Sequence, residues 1–393
     1  MAANRKRRLL IVVNTISTFG GGEKFAFDLR NLLSKRFETT FTNPVSKSDI
    51  IREEESKLFN QFGIHKNEVH KIKCYGIRKK AFGNQEYVLM LPKPAGLVRL
   101  AGAIRNSDVV YCISNNPFLL IFSVLYAKIY RKRFIFGVHQ PLFAKMFRSG
   151  GISAFVYKFI LGQIKHFHVL NAYEQGLVNA RYPNASTYLI PGFAYTLGNR
   201  PHKNNDFVVM FAGRQMKYEK GIDLLCDIMD RTIKKNRNLK FKVVGAKGDG
   251  EQLLKEMASR HNSNISLLGF VPTSRVMHEW ATSNLAIFTS RNEELRYLPL
   301  VFLESQSFGL PMVTFMCKGA YSVMVDKDQG MLVSDYDTEK AADAIIHYYN
   351  AFKKDKAGYF RMKQRISVLN KELYGTQTIV PKIIKMLEGS RSD

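Results

Sequence analysis

FVVMFAGRQMKYEKGIDLLCDIMDRTIKK, residues 207–235, decides the fold. Its first part, 207–212, is an apolar run that reads as a buried strand, and 221–235 reads as a helix. Between them lie Gly213, Arg214, Glu219, Lys220 and Gly221. A strand that passes through a polar loop into a helix is the repeating step of an α/β domain.

Working toward the C-terminus, the step recurs. Strands are predicted at 241–244, 265–268, 285–288 and 312–315, and helices at 252–261, 273–282, 301–308 and 338–352. Toward the N-terminus a similar series appears, with strands at 9–14, 108–113, 133–138 and 167–170. Its helices are expected at 23–34, 119–130, near 153–164 and from Tyr173. Such alternation implies parallel sheets covered on both faces. The stretch 193–206, with Gly198, Pro201, Asn204 and Asn205, breaks the pattern and is the linker candidate. The fold class is therefore α/β, with two Rossmann-like domains facing a central cleft. The expected domains are 1–195 and 196–370, followed by a C-terminal helix over 371–393 that returns to the first domain.

The chain has 393 residues, too many for one ordinary core, and 46% of them are hydrophobic. Lys and Arg number 59 against 33 Asp and Glu, a formal net charge of +26. That excess points to anionic partners: phosphorylated ligands, an acidic membrane surface or nucleic acid. No recognised nucleic-acid motif supports the last. Cys74, Cys112, Cys226 and Cys317 lie far apart without a CxxC pair, so they read as reduced core thiols. The apolar run after the basic start is too short for a signal peptide, and 117–130 is too short to span a bilayer. A cytoplasmic protein is expected, soluble or peripheral on the inner face of the membrane.

Four stretches carry candidate chemistry. Gly20-Gly21-Gly22-Glu23-Lys24 follows the first strand and opens a helix, an arrangement that offers free N–H groups to phosphate or simply makes a tight turn. It lacks the GxGxxG spacing, which disfavours a dinucleotide-linked dehydrogenase. Arg214 and Lys220 are two cations suited to clamping a diphosphate. VVGAKGDG, 243–250, with Gly245, is a glycine-rich turn that could bring backbone to the cleft floor, though by itself it reads more readily as a plain left-handed turn. In SRNEELRYLPLVFLESQSFGLP, 290–311, Glu304 falls in an apolar helical stretch, where a carboxylate needs ribose hydroxyls or a cation as partner. Asp335 and Asp337 form a DxD-like pair in a polar turn, and no metal is expected there.

GGGEK, FAGR…EKGID, VVGAKGDG, LGFVP and SRNEE…LPLVFLES…GLP, in that order over most of the chain, resemble the retaining GT-B glycosyltransferases of family GT4, glycosyltransferase group 1. The resemblance implies transfer of a sugar from a UDP- or GDP-linked donor, without a metal and with retention. It implies that Arg214 and Lys220 hold the diphosphate and that Glu304 grips the ribose. Gly21 and Gly22 face the distal phosphate, and Gly245, Leu300 and Val301 contribute to the donor site. His139, in GVHQP, looks like the family histidine that contacts the donor sugar. Two departures stand out. The family has two glutamates separated by seven residues, and counting back from Glu304 that position is Arg296. Glu294 takes the role only with an insertion in 295–298. The spacing from Arg214 to Lys220 is one residue longer than in the family pattern.

Basic residues interleave with aromatics at Arg78-Lys79-Lys80, Tyr130-Arg131-Lys132-Arg133-Phe134, Lys145-Met146-Phe147-Arg148 and Phe155-Val156-Tyr157-Lys158-Phe159. Such faces suit an anionic bilayer and a glycan or lipid-linked acceptor, or are solvated faces of ordinary helices. The alternatives to a retaining transferase are a non-catalytic subunit that binds nucleotide-sugar or membrane, and an inverting transferase or epimerase of the same fold.

Overall fold

The computed structural model describes residues 5–14, 21–46, 59–60, 62–80, 86–114, 116–139, 152–193, 206–291, 300–316, 324, 326–334 and 336–389. The chain divides into two compact units, Met1–Pro191 with Val380–Asp393, and Gly192–Ile379.

The first unit holds an eight-stranded sheet. Its strands are β1 (Arg7–Val12), β2 (Phe37–Val45), β3 (Val69–Lys80), β4 (Glu86–Pro92), β5 (Val109–Cys112), β6 (Arg133–Val138), β7 (His166–Val169) and β8 (Ser186–Leu189). They are ordered β4-β3-β2-β1-β5-β6-β7-β8. The helices are α1 (Gly21–Leu33), α2 (Pro94–Arg105), α3 (Pro117–Ile129), α4 (Ile152–Leu161) and α5 (Ala172–Arg181). Leu9 to Val12 are wholly buried, as expected where helices cover both faces of a parallel sheet. Turn chemistry starts the helices: the Asn116 side chain accepts from Phe118 N and Leu119 N ahead of Pro117, and Asn171 accepts from Glu174 N.

The sheet is not wholly parallel. β3 and β4 form an antiparallel pair at one edge, where the strand–helix alternation predicts only parallel pairing. Neither strand, nor β2 or α2, stands out in the sequence. β3 buries Ile72 and Cys74 while Lys71, Lys73 and Tyr75 face outward. β4 is the edge strand, and β3 beside it lacks the continuous apolar run that marks a central parallel strand.

The second unit holds a six-stranded sheet, β9 (Val208–Ala212), β10 (Lys240–Val244), β11 (Ile265–Gly269), β12 (Leu285–Phe288), β13 (Met312–Phe315) and β14 (Gly330–Val333). The order is β11-β10-β9-β12-β13-β14, all pairs being parallel. Its helices are α6 (Ile222–Lys235), α7 (Glu251–Arg260), α8 (Thr273–Ala281), α9 (Leu300–Ser307), α10 (Thr338–Lys354) and α11 (Lys356–Tyr374). Successive β9 residues serve opposite layers. Val209 and Phe211 pack with Ile222, Leu225 and Met229 of α6, and Met210 packs with Trp280, Phe302 and Leu303.

The segment expected as a separate C-terminal helix, 371–393, begins inside α11 and contains α12 (Thr376–Glu388). Its last part, Val380–Asp393, belongs to the first unit. Arg7 Nη1 and Arg133 Nε donate to the carbonyls of Glu388 and Met386 at 3.1 and 3.3 Å. Cationic partners at a helix C-terminus complement its dipole.

Cys74, Cys112 and Cys226 are buried free thiols, and burial pushes Cys112 and Cys226 up to about 12. Cys317 and the linker residues 194–205 lie outside the described residues. Among the described residues no helix is long and apolar enough to cross a membrane.

Lys363 of α11 is fully buried, and its ammonium donates to the Ser283 carbonyl at 2.7 Å. Burial lowers its pKa from 10.5 to about 7. The folded protein therefore holds fewer protons than the unfolded chain between those values, and this group's contribution to stability rises with pH across that window. Denaturation midpoints measured from pH 7 to 10 are expected to show this rise as the difference between the native chain and Lys363→Met. A difference that stays flat with pH contradicts the shifted lysine.

Candidate functional site

In both sheets the connection direction reverses once, between β1 and β5 and between β9 and β12. Loops leaving neighbouring strands part at such a point and open a crevice at the carboxyl ends, where α/β proteins bind ligands. Of the sequence-predicted residues that are described, Arg214 follows β9, Gly245 follows β10, His139 follows β6, and Gly21 and Gly22 open the helix after β1, whereas Leu300, Val301 and Glu304 lie on α9.

In the second unit, β9 delivers Gly213 and Arg214, and β10 delivers Gly245. Gly245 has φ +149°, and a Cβ on it would lie 1.8 Å from the Gly213 carbonyl oxygen. Only glycine fits, so two loop backbones pass in contact. Gln215 N then donates to Ala246 O at 2.9 Å, and Gly250 N donates to Gln215 O at 2.8 Å. The loop ends at Gly221, with φ +61°, where a Cβ would meet Thr289 O at 2.1 Å. The Thr289 hydroxyl donates to Lys220 O at 2.8 Å. The residue after β12 thereby clamps the start of α6 across the switch point.

This backbone places a charge cluster. One oxygen of Glu219 lies 2.8 Å from Arg214 Nη2 and 3.3 Å from Lys220 Nζ. Arg214 is half exposed, whereas the Lys220 ammonium is largely covered and lies 6.0 Å from the Phe288 ring centroid. Burial lowers the Lys220 pKa, Glu219 opposes that shift, and Arg214 adds to it. Two cations sharing one carboxylate are under-neutralised, which suits them to a dianionic group.

Arg291, which follows β12, was not singled out from sequence. Its guanidinium grips Asp223 through both nitrogens, at 2.5 and 2.6 Å. Burial raises the Asp223 pKa, but Arg291 outweighs it and the net shift is downward. The pair braces the first turn of α6, beside Lys220. Leu300 and Val301 open α9, and Glu304 follows one turn later, half-buried. Glu293, Glu294 and Arg296 lie outside the described residues, as does Asp335. Asp337 is a helix cap: its side chain accepts from Lys340 N at 2.9 Å and pairs with the Lys340 ammonium at 3.1 Å.

In the first unit, the residues after β1 and β5 meet across the switch, Ser114 donating to the Asn14 side chain at 2.8 Å. Gly21 and Gly22 form the first turn of α1, and Gly20 lies outside the described residues. A Cβ on Gly22 meets nothing within 4 Å, so packing within the protein does not require glycine there. His139 follows β6, with its ring edge-on to Phe25 of α1 at 5.0 Å.

His139 does not stand alone. Its Nε2 lies 3.0 Å from the Tyr111 hydroxyl and 3.1 Å from His168 Nδ1. The Tyr111 hydroxyl is 2.5 Å from His168 Nδ1, and His168 Nε2 is 2.7 Å from the Ile190 carbonyl. Tyr111 is on β5 and His168 on β7, and β6 between them has Gly137 opposite His168. A Cβ there would strike Ile113 at 2.8 Å and the His139 ring at 3.0 Å. Burial lowers the pKa of His139 well below its usual value, with His168 adding to the effect, and lowers that of His168 to about 4. Sequence reasoning missed Tyr111 and His168, because a buried His or Tyr on a strand reads as core. The legible signal was the glycine in GVHQP, two residues before the histidine and on the same strand face.

On the outside of this unit, α4 buries Tyr157 and Leu161 and exposes Phe155 (71%) and Phe159 (59%). Leu125 and Ile129 of the neighbouring α3 are also exposed. Lys128, Arg131 and Lys165 are exposed cations of these helices and the turns that follow them. Arg133, from the predicted basic run, instead bonds Met386 O and the Tyr188 hydroxyl. The side chains of Arg78, Lys79 and Lys80, and residues 145–148, lie outside the described ones.

Residues 206–351 match the family described as glycosyl transferases group 1. The match encloses the Arg214–Glu219–Lys220 cluster and Glu304. Among curated relatives, an uncharacterized glycosyltransferase of Haemophilus influenzae is 27% identical over 184 residues, 46% of this chain and 49% of that one. The alpha-D-kanosaminyltransferase of Streptomyces kanamyceticus is 25% identical over 154 residues, 38% of this chain and 37% of that one. The chain thus matches about half the length of such relatives, or less. Among solved structures, Anabaena HepE in complex with UDP superposes with TM-score 0.71 at 16% identity, covering 97% of this chain and 99% of that one. A complex of S. aureus TarM with UDP, Fondaparinux and alpha-GlcNAc-glycerol gives 0.73 at 13% identity, covering 98% and 100%. The fold is that of the GT-B glycosyltransferases.

The two glycine environments predict opposite outcomes. Gly245→Ala is expected to destabilise the chain by about 2 kcal/mol or more through strain and contact with Gly213. Gly22→Ala, in a helix with open space around it, is expected to hold stability or raise it by up to about 1 kcal/mol. Chemical denaturation of both variants checks the contrast.

Proposed function

We propose that the chain transfers a sugar, with retention, from a UDP- or GDP-linked donor to a glycan or lipid-linked acceptor, as a GT4-type enzyme. The observation that carries this reading is the cation pair Arg214 and Lys220 sharing the single carboxylate of Glu219 at the switch point of the second sheet. Its position inside the segment matching glycosyl transferases group 1 supports a diphosphate as the intended counter-charge. UDP in the complexes of HepE and TarM supports UDP as the carrier.

In this reading the donor diphosphate displaces Glu219 from the two cations. As the bond to the sugar breaks, negative charge grows on the departing diphosphate, and Arg214 and the poorly solvated Lys220 stabilise it. The departing oxygen accepts the acceptor's proton on the same face, so no protein nucleophile takes part. Glu304, Leu300, Val301 and Gly245 hold the nucleoside, Gly21 and Gly22 admit the distal phosphate, and His139 and Glu294 contact the sugar. No metal takes part.

Nucleotide-sugars of known affinity are expected to raise the melting temperature, a ligand at 100 times its Kd adding about 2.7 kcal/mol of stability. Arg214→Ala, at a half-exposed side chain, is expected to leave the fold intact and lower turnover at least about 100-fold. Unchanged turnover sinks the diphosphate assignment. Donor binding with neither transfer nor slow donor hydrolysis identifies a non-catalytic binding protein instead.

The exposed aromatics of α4 beside α3, flanked by cations in a chain of net charge +26, support a peripheral site on an anionic, cytoplasmic membrane face. Flotation with anionic vesicles is expected to carry the native chain. The double variant Phe155→Asp, Phe159→Asp should bind at least about tenfold more weakly. Equal flotation of both places the contact elsewhere.

A further inference from the structure

The contacts of His139, Tyr111 and His168 settle where the protons lie. A carbonyl oxygen only accepts, so the 2.7 Å contact with Ile190 O puts a proton on His168 Nε2. A neutral imidazole carries one N–H, so His168 Nδ1 is left as an acceptor. The Tyr111 hydroxyl, 2.5 Å away, donates to it. That hydroxyl has spent its only proton, and toward His139 Nε2 at 3.0 Å it acts as an acceptor. The third distance, His139 Nε2 to His168 Nδ1 at 3.1 Å, closes the triangle and is compatible with this arrangement, the lone pair of Nδ1 being already taken by the Tyr111 hydroxyl. The chain from Ile190 through His168 and Tyr111 therefore places the His139 proton on Nε2.

From this geometry we infer that Tyr111 and His168 are positioning residues that fix His139 as its Nε2-protonated tautomer, so that its Nδ1 accepts a hydrogen bond from a hydroxyl of the bound sugar. The inference rests on the sugar-transfer reading for the ligand, but not for the tautomer. His139 is only partly buried, and its Nδ1 has no hydrogen-bond partner among the described residues. Burial disfavours the charged form of both imidazoles, which keeps the one-proton bookkeeping valid. Gly137 is part of the device. Its missing side chain lets a tyrosine on β5 reach a histidine on β7 across the strand between them.

The device has a direction that a mere packing cluster lacks. If His168 loses its acceptor, the Tyr111 proton turns to His139 Nε2, and the His139 proton moves to Nδ1. Nδ1 then donates, and the acceptor offered to a sugar hydroxyl disappears. Asparagine at 168 keeps an oxygen near the position of Nδ1, whereas leucine keeps only the volume.

The test is histidine-selective 15N nuclear magnetic resonance on the ligand-free full chain, with the His139 and His168 signals assigned from His139→Gln and His168→Asn. The expected result is that both imidazoles are neutral and Nε2-protonated, that His168→Asn leaves His139 so, and that His168→Leu moves its proton to Nδ1. A His139 protonated on Nδ1 in the native chain, or unmoved by His168→Leu, overturns the relay. Donor kinetics supply the second arm. KM for the nucleotide-sugar is expected to rise about tenfold in His168→Leu and to recover in His168→Asn, with kcat changing less. Expected tautomers with an unchanged KM overturn the sugar contact while the relay holds. A chain that binds no nucleotide-sugar at all refutes the transfer reading, and the spectra still decide the relay.

Discussion

A parallel sheet buried on both faces leaves polar chemistry one exit, the carboxyl ends of its strands. Both sheets of this chain obey that constraint, and both open the exit where strand order reverses. In the second sheet the opening is held by backbone contacts that only glycine permits. Gly245 lies against Gly213, and Gly221 lies against the Thr289 carbonyl. With the Thr289 hydroxyl on Lys220 O, these contacts fix the loop from β9 to α6 before any charge is considered.

The charges then act from a rigid frame. Lys220 has lost much of its water and gained Phe288 as a neighbour. Glu219 offsets that loss while also holding Arg214, so the cluster is stable without being saturated. Arg291 and Asp223 form a complete bidentate pair on the other side of the same helix start. Arg291 is thereby committed to one carboxylate within the fold, whereas Arg214 and Lys220 share the carboxylate of Glu219. The contrast within one helix turn separates the structural cation from the two assigned to the diphosphate.

In the first unit the cluster at the strand ends is built from neutral groups. Tyr111, His168 and His139 are linked in one chain of hydrogen-bond contacts that ends on a main-chain carbonyl. Neutral groups in such a chain impose direction through their valences, where charges impose it through the field. α12 ties the end of the chain back to this unit, using Arg133 from a run that reads as a membrane-facing basic patch.

The central strands of both sheets, the helix faces and the cluster Arg214, Glu219 and Lys220 were legible in the sequence, because continuous apolar runs and cations after a strand are local signals. β3 and β4, at one end of the first sheet, were not, since the alternation of Lys with Ile and Cys in β3 resembles surface. The sequence by itself determined that two α/β units exist and that two cations, Arg214 and Lys220, follow β9. Only the tertiary structure decided that one Glu219 oxygen is shared by two cations, and that Tyr111, His139 and His168 meet. Tyr111 and His168 lie on β5 and β7 and His139 in the residue after β6, and it is the register of the sheet that brings them within hydrogen-bond distance.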